Sequence, residues 1–368
     1  MPSQLLGMLS ITPKYGKSLA NMGIEVYMIP DTTLEKSAKQ QVDETIMGLI
    51  SKGLTVTDLW IKFCATMLAV VGFVIVAVPA SLWLYSKYNS QKPKVYAKTD
   101  GKLFDRVSKH VPVLKKVYTL PWWCPFGDAQ TIVSGTLRKC PPLPFIRAYN
   151  SVRHHDVAEV IKRISSRYPK AKMIGCGFSM GGMVLWNYLA TCTKENVVLQ
   201  GALIVSSPFD PSSTTNSLES FFAKYTYNRH ITKKLVAFAE RYREHYEDHE
   251  VMNFDNVLKS VTIREFDTRF TAPLFGYDSV DHYYAHAAPN KKVQKIPVPT
   301  LCLNADDDCF SPKEAIPVNE MSASESVVGV VTRGGGHTAF LRTGNPNQGG
   351  LVDELLIEWA TMLINDLY

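Results

Sequence analysis

Three residues stand in an order and in local settings that suit acyl transfer. Ser179 lies in Gly177-Phe178-Ser179-Met180-Gly181-Gly182, with a strand-like run before it at 172–176 and a helix-like run after it at 183–190. That strand–turn–helix setting is what a G-x-S-x-G nucleophile elbow requires. Gly177 and Gly181 are expected to let the backbones pass, and Gly182 to let the new helix pack close. The plainer alternative is a glycine-rich strand–helix junction with an incidental serine, and the rest of the site decides between the two. A serine hydroxyl is a weak nucleophile until a base takes its proton. A histidine held by a carboxylate does this, and in one such arrangement the chain order is Ser, Asp or Glu, then His. Asn304-Ala305-Asp306-Asp307-Asp308-Cys309-Phe310-Ser311-Pro312 follows one strand-like run, and Gly334-Gly335-Gly336-His337 follows the next. Of the nine histidines, only His337 sits in a glycine-rich loop after a strand. The spacing from Asp308 to Pro312 favours Asp308 as the carboxylate, with Asp307 the runner-up and Asp306 a turn residue. The backbone N–H of Met180, next after the nucleophile, supplies one oxyanion donor. No further ligands cluster near the acidic run, so no metal is expected, and no cofactor.

The elements that must position these residues alternate between strand and helix, which predicts an α/β fold with a parallel sheet. Apolar runs at 197–206, 298–304 and 327–332 read as strands, and a last helix is expected from about 351 to 367. Ligands in such sheets bind beyond the carboxyl ends of the strands, where Ser179 falls. Residues 211–290 are polar and helical in pattern and read as a cap about 80 residues long, inserted between strands. Upstream, Phe63 to Tyr85 runs for 23 residues without a charge, enough to cross a bilayer as one helix. Trp60, Trp83 and Tyr85 sit near its ends, where aromatic side chains prefer the interface. The expected layout is an N-terminal segment at 1–62, with an amphipathic helix from Asp31 to Lys52; a transmembrane helix at 63–85; a linker at 86–117; and a catalytic domain at 118–368. Lysines are denser after the span than before it, which favours a cytosolic catalytic side. Trp122-Trp123, bracketed by prolines, reads as an anchor packed on the core, with a lip for lipid entry as the alternative. The net charge of +6 is spread out, which argues against a nucleic-acid partner. Seven cysteines without a C-x-x-C pair argue against a disulfide framework or a zinc site.

With these residues in place the chain resembles a membrane-anchored α/β-hydrolase-domain family, the AB hydrolase 4 family. That family includes the animal phospholipase and acylglycerol lipase types 1, 2 and 3 and related bacterial and yeast esterases. The likeness runs from Tyr118 to the C-terminus and is strongest to the type 3 phospholipases. It rests on Trp122-Trp123-Cys124, Gly177–Gly182, Ser207-Pro208-Phe209-Asp210, the segment 262–271, Phe275-Gly276-Tyr277, Asp281-His282-Tyr283-Tyr284, 301–312 and Gly335-Gly336-His337. The resemblance implies an α/β-hydrolase fold, hydrolysis of phospholipid or acylglycerol esters, and Ser179, Asp308 and His337 as the triad. It also implies a single-pass membrane protein of the endoplasmic reticulum or another endomembrane. Family members carry a cytosolic N-terminus, contrary to the lysine count, so orientation stays open. Arg264, Glu265, Asp267 and Arg269 are expected to pair with one another and fix the cap. The alternative gives Arg264 or Arg269 a phospholipid phosphate to hold.

One part of the family pattern is missing. The second oxyanion donor comes from a glycine-rich loop after an earlier strand, and no such loop precedes Ser179. About 80 residues, several strand–helix units, are absent between Pro142-Leu143-Pro144 and Arg147-Ala148-Tyr149. Two expectations follow: a sheet truncated at its early strands with the elbow strand exposed, and a loss of about 10²–10³ in turnover. The competing functional reading is therefore a catalytically impaired, membrane-anchored isoform that binds or does nothing.

Overall fold

Sequence alternation sets the faces of the sheet. In the computed structural model, which describes residues 9–10, 27–28, 56–137, 148–342 and 349–365, the chain divides into two compact units, residues 1–78 and 79–368. In the first, two-residue strands β1 (Leu9–Ser10) and β2 (Tyr27–Met28) pair antiparallel. The second is built on five strands: β3 (Lys94–Tyr96), β4 (Ile174–Phe178), β5 (Gly201–Val205), β6 (Thr300–Ala305) and β7 (Val327–Thr332). Their order across the sheet is β3-β7-β6-β5-β4. The pairs β4–β5, β5–β6 and β6–β7 are parallel, and only β3 runs antiparallel, at one edge.

Successive residues of a strand face opposite sides, and here both sides are covered. Leu203, Val205, Leu301, Leu303, Val328 and Val330 pack with Leu355 and Trp359 of the C-terminal helix Leu351–Asn365. Their neighbours Ala202, Ile204, Cys302, Val327 and Val331 pack on the opposite face with Trp186 and Leu189 of the elbow helix Met180–Leu189. Two-sided burial explains why these strands read as unbroken apolar runs. Each fully buried Leu or Ile there contributes about 1.5–3 kcal/mol.

The stretch 86–117 is not a linker. It supplies edge strand β3, the helix Lys102–His110 and a 3₁₀ turn at Pro112–Lys115. Leu103, Val107, Val111 and Val113 are buried in the same core as Trp359. The spacing 103–107–111 is one face of a helix, a short amphipathic stripe whose burial in the core ties this stretch to the sheet. Trp122 is likewise not a core anchor: it is about half exposed, whereas Cys124 beside it is buried.

Among the described residues no helix is long and apolar enough to cross a membrane, so the span expected at 63–85 is not supported there. The stretch lies within one helix, Val56–Asn89. The end of that helix turns polar, and from Pro79 on it belongs to the second unit. Ser86 Oγ donates to the Leu120 carbonyl at 2.6 Å, and Leu120 N–H donates to Ser90 Oγ at 3.0 Å. The expected helix from Asp31 to Lys52 and the junction around 144–147 lie outside the described residues. Residues 211–290 hold helices and turns without a strand among the described residues.

Candidate active site

The elbow is built by the glycines, though not by the pair that symmetry about Ser179 suggests. Ser179 has φ 51° and ψ −125°, a left-handed region that costs a non-glycine residue on the order of 1–3 kcal/mol. Its N–H donates to the Val205 carbonyl at 2.9 Å, and Gly182 N–H donates to the Ser179 carbonyl at 2.9 Å. A Cβ on Gly177 would lie 2.8 Å from the Gly181 carbonyl oxygen and 2.8 Å from Gly182 Cα. One on Gly182 would lie 3.1 Å from side-chain atoms of Ile204 and Ser207, while one on Gly181 would meet nothing within 4 Å. The close crossing therefore needs Gly177 and Gly182, and Gly181 is not needed for space.

The three sequence-predicted residues meet. Ser179 Oγ lies 2.7 Å from His337 Nε2. On the other side of the ring, His337 Nδ1 lies 3.0 and 2.9 Å from the two Asp308 carboxylate oxygens. Asp308 is buried and also accepts from the N–H groups of Phe310 and Ser311, at 2.8 and 3.3 Å. Ser311 Oγ in turn donates to the Ser207 carbonyl at 2.8 Å and accepts from Asn304 Nδ2, also at 2.8 Å. The acid loop is thus tied to the end of β5. Phe310 lies against the imidazole at 4.3 Å between ring centroids, and Tyr227 of the cap packs on Phe310 at 5.5 Å.

Such an arrangement can move a proton from Ser179 Oγ to His337 Nε2, with Asp308 stabilising the resulting imidazolium through Nδ1. Asp307 takes a different place. Its Oδ1 accepts from Gly336 N–H at 2.9 Å. Burial, with the Asp308 charge adding to it, pushes the Asp307 carboxyl up to about 6. Met180 opens the elbow helix, so its N–H has no partner within that helix. Among the described residues no cluster of His, Cys, Asp and Glu could hold a metal.

Sequence reasoning missed Thr131 and Ser206. His337 N–H donates to Thr131 Oγ1 at 2.7 Å, and Thr338 N–H donates to Ser206 Oγ at 3.0 Å. Neither residue belongs to a motif, and each lies more than 130 positions from its partner, so no local signal marks them. The cap arginines pair only partly as expected. Arg269 reaches Glu265 at 3.7 Å, but Arg264 pairs with Asp281 at 2.6 Å. Asp267 bonds to neither arginine: it accepts from Tyr284 and Thr271, and burial pushes its carboxyl up to about 6.

The family model described as serine aminopeptidase, S33, matches residues 149–340, more than half of the 368 residues. A second model, lysozyme-like protein 1, matches residues 14–67. Protein abhd-3.2 of Caenorhabditis elegans is 36% identical over 367 aligned positions, which take in 79% of this chain and 97% of that protein. Phospholipase ABHD3 of Mus musculus is 34% identical over 218 positions, 59% of this chain and 52% of that protein. The monoacylglycerol lipase of Saccharomyces cerevisiae is 25% identical over 53% of this chain and 44% of its own length. The chain thus spans about half the length of the mouse and yeast relatives. The parallel sheet, the elbow after β4 and the match over 149–340 place the chain in the α/β-hydrolase family that the serine aminopeptidase S33 model describes.

Proposed function

We propose that the chain descends from, and retains the nucleophilic chemistry of, a serine hydrolase acting on lipid esters. The observation that carries this reading is the bonded series from Ser179 Oγ through His337 to Asp308, with the serine at a left-handed turn. Ser179 Oγ attacks the ester carbonyl carbon while its proton passes to His337 Nε2. The carbonyl oxygen becomes an oxyanion that accepts from Met180 N–H. Collapse breaks the bond to the alcohol, which leaves with the proton from His337, and Ser179 keeps the acyl group as an ester. A water deprotonated by His337 then attacks the acyl carbon, releasing the fatty acid and restoring the serine. Lipid as substrate class is supported by the mouse phospholipase and the yeast monoacylglycerol lipase.

A single-pass membrane anchor at 63–85, in the endoplasmic reticulum or another endomembrane, belongs to the same proposal. It is supported by the uncharged run and by the exposure of Phe73, Ile75 and Val76, each at 65–72%. The test is hydrolysis of phosphatidylcholine and monoacylglycerol vesicles by membranes carrying the chain. Release of fatty acid that disappears with Ser179→Ala is expected; equal release from the variant contradicts the reading.

The impaired isoform remains the second reading, and a specific observation favours it. Among the described residues the nucleophile strand β4 ends the sheet, with β5 its only partner. The alignment with the nematode relative points the same way. It covers 79% of this chain, about 291 residues, so about 76 of its 367 positions have no counterpart here. A chimera with a family member's glycine-rich oxyanion-loop segment inserted between Pro144 and Arg147 separates the readings. A gain of about 10²–10³ in turnover supports impairment through a missing oxyanion donor, and no gain contradicts it.

A further inference from the structure

The loop carrying His337 is closed by one bond of its own, Phe340 N–H to the Gly335 carbonyl at 3.0 Å, and takes further support from neighbouring elements. Within six residues, Gly335, Gly336, Thr338 and Phe340 all have positive φ, at 148°, 61°, 61° and 45°. Three consecutive peptide N–H groups in it, those of Gly336, His337 and Thr338, donate to side chains. Each reaches a side-chain oxygen of a different element: Asp307 Oδ1 after β6 at 2.9 Å, Thr131 Oγ1 of the helix Gly127–Leu137 at 2.7 Å, and Ser206 Oγ after β5 at 3.0 Å. The acceptors are themselves fixed. Thr131 Oγ1 donates to the Gly127 carbonyl at 2.9 Å, and Ser206 is fully buried at φ 50°. The fit is close: a Cβ on Gly336 would lie 2.1 Å from the Gly127 carbonyl oxygen.

We propose that Asp307, Thr131 and Ser206 are positioning residues for His337, a three-point clamp on its backbone that keeps Nε2 on Ser179 while Nδ1 stays on Asp308. The proposal rests on the hydrolase reading of the same site. Its physical content is that a ring attached to a clamped backbone loses few orientations on binding substrate. Release of one point lets the imidazole drift by a fraction of an ångström, and a displacement of about 1 Å can cost on the order of 10²-fold. A purely structural role would lower stability and leave the reactivity of the folded protein alone.

The experiment uses the full chain in membranes with Thr131→Val, Ser206→Ala and the conservative Thr131→Ser. The rate constant for reaction of Ser179 with a fluorophosphonate probe is measured, together with the thermal midpoint. The imidazole nitrogen-bound proton of His337 is followed by NMR, assigned through its loss in His337→Gln. Expected are labelling rates lowered about 10–100-fold in Thr131→Val and Ser206→Ala, recovery to within about threefold in Thr131→Ser, and a shifted or broadened His337 proton signal in the two former variants. Wild-type labelling rates in Thr131→Val and Ser206→Ala overturn the proposal, whatever the midpoint does; so does a Thr131→Ser variant no better than valine. If wild type itself fails to label, the hydrolase reading fails separately and the NMR signal decides: unchanged by Thr131→Val, it overturns the clamp.

Discussion

Asp308 and His337 follow strands that are buried at every residue, β6 and β7. Ser179 follows β4, where Gly177 alone is buried and Cys176 and Phe178 are exposed. The acid and base loops sit between covered strands and are tied by side chains from three or four elements. The turn of Ser179 hangs on the last strand of the sheet, with one neighbouring strand among the described residues. The contrast teaches that the two halves of the proposed catalytic site are specified to different degrees. The proposed base is held by several neighbouring elements, and the proposed nucleophile mainly by its own turn. An edge strand with unpaired N–H and C=O groups also templates pairing with other chains, so the less supported half is the one exposed to aggregation.

The largest effect is expected where the covered half meets the chemistry. Asp308→Asn keeps the shape but removes the charge that holds the imidazole, and turnover should fall by about 10³–10⁴, measured on vesicle substrates beside wild type. Next comes the contrast in packing. Leu303→Ala, in the fully buried β6, should cost about 2–5 kcal/mol, whereas Phe178→Ala, on the open edge, should cost under about 1 kcal/mol. Equal losses in a denaturant titration would erase the distinction between the two sides. The elbow offers a finer comparison. Gly177→Ala puts a methyl against backbone and should cost about 1–3 kcal/mol or more, while Gly181→Ala, facing open space, should change stability by no more than about 1 kcal/mol.

The smallest effect concerns pH. Asp307 is lifted to about 6 from an ordinary 3.8 by burial first, with Gly336 N–H opposing and the charges of Asp308 and Asp128 adding. Because the folded-state value is the higher one, the folded protein holds the extra proton between about pH 4 and 6. Stability from this group therefore falls as pH rises through that window. Asp307→Asn, whose amide oxygen still accepts from Gly336, should flatten that part of the stability–pH curve. An unchanged slope would refute the assignment.

Most of the site was legible because its chemistry is local. A glycine pattern marks the elbow, a glycine-rich loop marks His337, and the spacing from Asp308 to Pro312 marks the acid. What was illegible depends on long-range closure. Thr131 and Ser206 act on a loop 206 and 132 positions away, and nothing in their neighbourhood sets them apart from other hydroxyl residues. Strand β3 was hidden for a similar reason: three residues at an edge, Lys94–Tyr96, carry no alternation to read, and only pairing with β7 makes them a strand. Gly181 misled because the motif names it, while the crowding falls on Gly177 and Gly182.

The proposed mechanism makes Ser179 a nucleophile activated by His337 and Asp308 despite its edge position. The most direct test is covalent capture by a fluorophosphonate probe on the full chain in membranes, followed by mass spectrometry of the modified peptide. A single adduct on Ser179 is expected, lost in Ser179→Ala and strongly slowed in His337→Gln. A folded chain that forms no adduct at Ser179, or forms it as readily without His337, would contradict it.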